Sequence, residues 1–154
     1  MGGSAVIIRR GHARTEEATA EQVAHLGYFR AELLSDTGGL TRFGAFVETL
    51  APGALSSDRH WHENEDEFLY VLSGEATVVE DDGAHVLHAG DAACWKAGVA
   101  NGHQVRNGSS APCSYLVVGT RATFDRVQYS DIDILYTRDN GVVSRTRRDG
   151  RALG

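Results

Sequence analysis

His60-Trp61-His62-Glu63-Asn64-Glu65-Asp66-Glu67-Phe68-Leu69-Tyr70-Val71-Leu72-Ser73-Gly74 is the stretch in which this sequence specifies a chemistry. Side chains alternate across an extended strand with period two, so His60 and His62 point to one face and Trp61 to the other. Two imidazoles side by side can face a single cation. A short acidic loop follows, and the bulky run Phe68-Leu69-Tyr70-Val71-Leu72 reads as a second strand closed by Ser73-Gly74. Two imidazoles and an oxygen donor suit divalent zinc, iron, manganese, nickel or cobalt, and do not make a thiolate site. Glu63, Glu65, Asp66 and Glu67 all compete for the oxygen.

On both sides of this stretch, short strands alternate with turn signals. Upstream, strands are expected at 28–34 and 41–50, separated by the break Ser35-Asp36-Thr37-Gly38-Gly39 and ended by Ala51-Pro52-Gly53, with a linker at 54–59. Downstream, 75–80 and 84–88 read as a hairpin around Asp81-Asp82-Gly83. Gly90-Asp91 reverses the chain before 92–95, a glycine-rich loop spans 96–102, and 103–107 and 111–121 are further strands. A tail hairpin joins 132–138 to 142–146 through Asp139-Asn140-Gly141. At the other end, Ala5-Val6-Ile7-Ile8-Arg9-Arg10 has the β-branched content of a strand, and Thr19-Ala20-Glu21-Gln22 is a capping box for a short helix through Leu26.

Helical periodicity is nearly absent, so the expected class is all-β, a barrel or sandwich with a short N-terminal helix at most. Nothing divides the chain into separate domains. Residues 1–27 are expected to pack as a strand and helical segment on a barrel of 28–121, with 122–154 a hairpin-bearing extension of the same domain.

The 154 residues are 42% hydrophobic, enough for one core without disulfide support. A net charge of −6 argues against nucleic acid or an anionic membrane surface, which leaves small molecules as the expected partners. Cys94 and Cys113 read as buried free thiols. With no leader-like or membrane-length apolar run, a cytoplasmic location is expected.

The ordered motifs resemble those of the cupin superfamily, small β-barrels of jelly-roll type. The family's first motif is a glycine, five residues, HxH, three or four residues, a glutamate, six residues and a glycine. Gly53, His60, His62, Glu67 and Gly74 follow it, with one extra residue between Gly53 and His60. The second motif is a glycine, five residues, PxG, two residues, a histidine, three residues and an asparagine. Gly90, Gly98, His103 and Asn107 follow it, with Lys96 in the proline position and two extra residues before His103. The likeness covers roughly residues 28–121, and extends to a group of small bacterial single-domain cupins through 97–103, 115–121 and 129–133.

The resemblance implies one divalent transition metal per chain, zinc, iron, manganese or nickel, held by His60, His62, Glu67 and His103. Motif spacing selects Glu67 among the carboxylates and leaves Glu63, Glu65 and Asp66 as a solvated acidic turn. Leu69, Trp95 and Tyr115 are candidate pocket residues, although core packing explains the two aromatics as well. Gly53, Gly74, Gly90 and Gly98 are turn positions needing unusual backbone angles. His12, His25, His85 and His88 are surface or hydrogen-bonded histidines. Arg145, Arg147, Arg148 and Arg151 form a solvated face, with an anion-contacting flap as the lesser reading.

The favoured function is a metal-dependent enzyme acting on a small oxygen-rich substrate, sugar-like or enediol-forming, by isomerase, epimerase or lyase chemistry. A metal-dependent dioxygenase and a non-catalytic small-molecule binding module are the alternatives. No residue is assigned as general acid or base. A homodimer is expected, with the strand at residues 5–10 available to cover a neighbour's sheet edge.

Overall fold

The capping box forms as the sequence requires. The Thr19 hydroxyl accepts from the Gln22 amide at 3.3 Å, and the Gln22 side chain accepts from the Thr19 amide at 2.9 Å. The structure, a computed structural model, describes residues 3–154. Its elements are β1 (Arg14–Glu17), α1 (Ala20–Leu26), β2 (Phe29–Leu33), α2 (Leu34–Thr37), β3 (Phe43–Leu50), β4 (His60–His62) and β5 (Glu67–Ser73). There follow β6 (Glu75–Glu80), β7 (Gly83–His88), β8 (Ala92–Trp95), β9 (Gln104–Arg106), β10 (Cys113–Thr120), β11 (Phe124–Tyr129), β12 (Leu135–Asp139) and β13 (Val142–Thr146).

Six strands form one wall in the order β1-β2-β3-β10-β5-β8. Two smaller sheets, β13-β12-β11-β4 and β7-β6-β9, are bridged by an antiparallel pair between His60 and His103. The architecture is the expected all-β, cupin-type jelly roll. Its ladders do not close into a continuous barrel, because β1 and β8 end the large sheet as edges. The β1 edge carries Arg14, Glu16 and Glu17, all exposed, which disfavours pairing with another chain.

The core lies where the period-two alternation turns apolar side chains inward. Leu50 of β3, Leu69 and Val71 of β5, and Cys113, Tyr115 and Val117 of β10 meet Ala76 of β6 and Val105 of β9. The registers set inward rungs across the large sheet: Glu48 is opposite Tyr115, Phe46 opposite Val117 and Gly119 opposite Glu67. Gly119 leaves the space beside the Glu67 carboxyl free of a side chain.

Several expectations change. Residues 5–10 do not form a strand; Val6 and Ile7 are 64% and 67% exposed, since β-propensity without a partner ladder does not order a strand. Met1 and Gly2 of the expected N-terminal segment lie outside the described residues. The single-turn helix α2 begins at Leu34, the last residue of the expected strand 28–34, and runs into the expected break at 35–39. The strands β1 and β11 went unrecognised: Arg14-Thr15-Glu16-Glu17 has no apolar alternation and pairs with β2 through its backbone. Cys94 is exposed, on the outer face of β8, while Cys113 is buried as expected.

Gly53, Gly74, Gly90 and Gly98 all adopt positive φ. At Gly74 (φ 74°) a Cβ would also lie 2.6 Å from the Pro112 carbonyl oxygen, whereas Gly53 (φ 81°) faces open space. Gly53→Ala should therefore cost about 1–2 kcal/mol from backbone conformation alone, and Gly74→Ala a further ~1–3 kcal/mol from the clash. Urea unfolding of the two variants measures the difference, and equal losses would show that the Gly74 contact relaxes without penalty.

Candidate metal centre

The chain places His60 and His62 on β4, Glu67 at the start of β5 and His103 just before β9. One donor atom each from His60, His62 and Glu67 lies within 4.8 Å of the others. His103 joins them through a hydrogen bond from Nε2 to Glu67 Oε2 at 2.8 Å. Glu67 Oε2 is also 4.0 Å from His62 Nε2. The four expected ligands are thus brought to one place.

The tautomers follow from what each Nδ1 meets. His60 Nδ1 lies 3.0 Å from the Asp58 carbonyl oxygen, which can only accept, so Nδ1 carries the proton and Nε2 keeps its lone pair. His62 Nδ1 donates to Asp125 Oδ2 at 2.6 Å. His103 Nδ1 faces the Asn101 carbonyl at 3.4 Å. Committing the far nitrogen of each ring to an acceptor orients imidazoles for a metal, so this donor set fits a divalent cation.

Burial and charge oppose one another throughout the cluster. Burial holds the His60 pKa below its ordinary value despite the nearby Glu67 charge, which favours the neutral, ligating form. For His62 burial acts the same way, but Asp125, Glu67 and Glu65 reverse it and raise the pKa. Burial would raise Glu67, yet its bond to His103 and the other imidazoles bring it below the usual carboxylate range.

Asp125 was missed by the sequence reading because β11 was. It is 2% exposed and bonded to both His62 and the Asn64 amide, and these bonds outweigh burial and lower its pKa. Its only sequence signal is an acidic residue at an inward position of a strand bounded by Phe124. Within the acidic loop Asp66 is exposed, whereas Glu65 is not solvated. Glu65 is largely buried, accepts from the Ala122 amide at 2.9 Å and pairs with Arg138. Glu63 accepts from Gln128 at 2.8 Å, and Asp66 accepts from the Ala97 amide at 2.8 Å.

Leu69, Trp95 and Tyr115 line the cavity beside the cluster, about 290 Å³ in volume. Trp95 stacks on His103 with ring centroids 3.9 Å apart and planes 8° apart, and its indole N–H donates to Glu80 at 2.6 Å. Glu48 lines the same cavity, 7% exposed, and accepts from the Tyr115 hydroxyl at 2.5 Å. Burial raises its pKa to about 7, the Tyr115 bond opposes this and the Glu67 charge adds to it. A second cavity of about 220 Å³ shares His62 and Glu67 and leads past Arg121 and Arg138. Arg121 is paired with Asp36, and Arg138 with Glu65.

Of the remaining histidines, His25, His85 and His88 are exposed beside Asp58, Asp82 and Glu75 respectively. In the basic tail, the Arg147 guanidinium and the Arg148 backbone amide donate to Asp133, the Arg148 guanidinium donates to the Tyr129 and Ile132 carbonyls, and the Arg151 guanidinium donates to Asp149.

Residues 46–119 match the model of the cupin domain family. A crystal structure described as a sugar phosphate isomerase from a cupin superfamily, from Silicibacter pomeroyi DSS-3, is 36% identical over 97% of both chains with a TM-score of 0.89. A protein of Acidithiobacillus ferrooxidans ATCC 23270, provisionally described as a sugar phosphate isomerase, is 23% identical with a TM-score of 0.75. It covers 89% of this chain and 95% of its own, and at that identity shares the fold alone. No curated protein matches the chain.

His62→Ala and His103→Ala should each sharply lower metal content measured by elemental analysis; wild-type stoichiometry in both would refute the ligand set. Asp125→Asn, which keeps the shape and removes the charge, should weaken metal affinity by roughly 10- to 100-fold in calorimetric titration. Glu48 gives a pH test in metal-free protein. Its folded pKa of about 7 lies above the ordinary 4.5, so the fold favours the protonated form, and stability falls as pH rises from 4.5 through 7. Glu48→Gln removes this loss and should gain up to roughly 3 kcal/mol relative to wild type on going from pH 4 to pH 8. Chemical denaturation at both values checks the sign.

Proposed function

The chain belongs to the cupin superfamily, and from that membership we propose that it is a metal-dependent enzyme acting on a small, oxygen-rich, sugar-like or enediol-forming substrate by isomerase, epimerase or lyase chemistry. The observation that carries this reading is the convergence of three imidazoles and one carboxylate on the edge of a mostly apolar cavity. His60, His62, Glu67 and His103 would hold one divalent transition metal. When bound, such an ion supplies Lewis-acid stabilisation of negative charge developing on a substrate oxygen. The chain's own residues orient the donors: Asp58, Asp125 and Asn101 hold the three rings, and Trp95 sets the plane of His103.

Cavity size supports a small substrate, because about 290 Å³ lies at the lower end of the roughly 300–1,000 Å³ usual for small-molecule sites. The description of the Silicibacter pomeroyi protein supports sugar-like chemistry. A substrate phosphate would meet Arg121 and Arg138, but each is already engaged by a carboxylate. The proposal therefore covers free and phosphorylated sugars alike.

Protein loaded in turn with zinc, iron, manganese and nickel, incubated with free and phosphorylated aldoses and ketoses and followed by NMR, should interconvert at least one pair. Chelation should abolish the conversion. Absence of conversion and of substrate C–H exchange with every metal would overturn the reading. We also propose a homodimer, supported by the exposed apolar row Phe68, Tyr70 and Leu72 on β5; a monomer by light scattering at micromolar concentration would contradict it.

A further inference from the structure

Glu48 is a buried ionisable group in the inner cavity for which the metal site has no use. Its place follows from register: Glu48 on β3 is the direct cross-strand partner of Tyr115 on β10, with both side chains on the inward face. Tyr115 is fully buried and donates its hydroxyl to Oε2. Among the described residues Oε1 accepts no hydrogen bond, and it is not sealed away from the cavity. Phe46, Leu69 and Val117 line the same cavity, whose surface is largely apolar.

We propose that Glu48 is the proton-transfer residue of this site and that Tyr115 is its positioning residue. The proposal rests on the isomerase reading above and names the group that reading lacks. The other titratable groups facing the cavity are His60 and His62 from β4, Glu67 from β5, His103 before β9 and Tyr115 itself. The first four are the candidate ligands. Burial and the Glu48 charge hold the Tyr115 pKa well above its ordinary value, so the phenol stays a donor. Because it occupies Oε2, proton exchange is directed to Oε1. A carboxyl held near neutrality can act as base and then as acid within one turnover.

The step balances without a co-reactant. Glu48 Oε1 takes the proton from the hydroxyl-bearing carbon beside the substrate carbonyl, the C–H bond breaks, and its electron pair forms the carbon–carbon double bond of an enediolate. Protonated Glu48 then returns the proton to the former carbonyl carbon, where a C–H bond forms. The hydroxyl proton passes from the old hydroxyl oxygen to the old carbonyl oxygen. An aldose becomes a ketose with atoms and electrons conserved.

The test uses the manganese-loaded protein in deuterated water with free and phosphorylated aldoses as probes. Wild type should incorporate deuterium beside the carbonyl, and Glu48→Gln should lower that exchange at least 100-fold at unchanged manganese stoichiometry. Tyr115→Phe should retain exchange but move the acidic limb of its pH profile upward, because the lost hydrogen bond favoured the carboxylate. Infrared difference spectra of metal-free wild type against Glu48→Gln should show a protonated carboxyl band that disappears with a midpoint near pH 7. Exchange that persists in Glu48→Gln, or a Glu48 carboxyl already ionised at pH 5, overturns the role of Glu48 alone. Failure of the wild type to exchange any probe overturns the isomerase reading and the catalytic role with it.

Discussion

The two backbone hydrogen bonds between His60 and His103, at 3.2 and 2.9 Å, join the smaller sheets into a wall facing the six-stranded sheet. This pair sets the site. It brings two imidazoles from residues forty-three positions apart to a ring separation of 5.2 Å, while the strand period brings His62 to 5.3 Å from His60. The opposing sheet supplies Glu67 from a rung where Gly119 has no side chain to compete for space. The candidate metal centre is therefore a consequence of how the two walls meet.

Electrostatics divides the interior into two kinds of carboxyl. Glu67, partly buried, and Asp125, buried, sit among hydrogen-bond donors that favour the charged form, and both pKa values lie below their ordinary ones. Glu48 has one donor, a neutral phenol, so desolvation, helped by the Glu67 charge, prevails and its proton is retained to near-neutral pH. The same cavity is thus lined by a carboxyl whose charged form is favoured, beside the imidazoles, and by one whose neutral form is favoured. Two carboxyls whose environments separate their proton affinities suit a division of labour between holding a cation and moving a proton.

Much of this was legible in the chain. Alternation at His60-Trp61-His62, the spacing to Glu67 and Gly74, and the capping box at Thr19 and Gln22 depend on local geometry, which sequence spacing encodes directly. Strand runs 43–50, 75–80 and 113–120 were visible for the same reason. Arg14–Glu17 was not, because an edge strand held by backbone pairing needs no apolar pattern. Residues 5–10 misled in the opposite sense, since β-branched composition cannot supply a partner.

His60, His62 and Glu67 could be nominated from sequence because a strand and a short loop carry their geometry, and His103 because its motif marks it. The roles of Asp125, Glu65 and Glu48 were decided only by tertiary structure. Each is a carboxylate in an unremarkable local context whose significance comes from a partner at least sixty positions away in sequence: Asp125 at His62, Glu65 at Arg138, Glu48 at Tyr115. The physical reason is that burial and hydrogen-bond partners determine what a carboxyl can do, and both are properties of the assembled sheets. The chain by itself nominated the residues of a candidate cation site; the packing of its walls decided which acids bond the candidate ligand rings and which one is desolvated beside them.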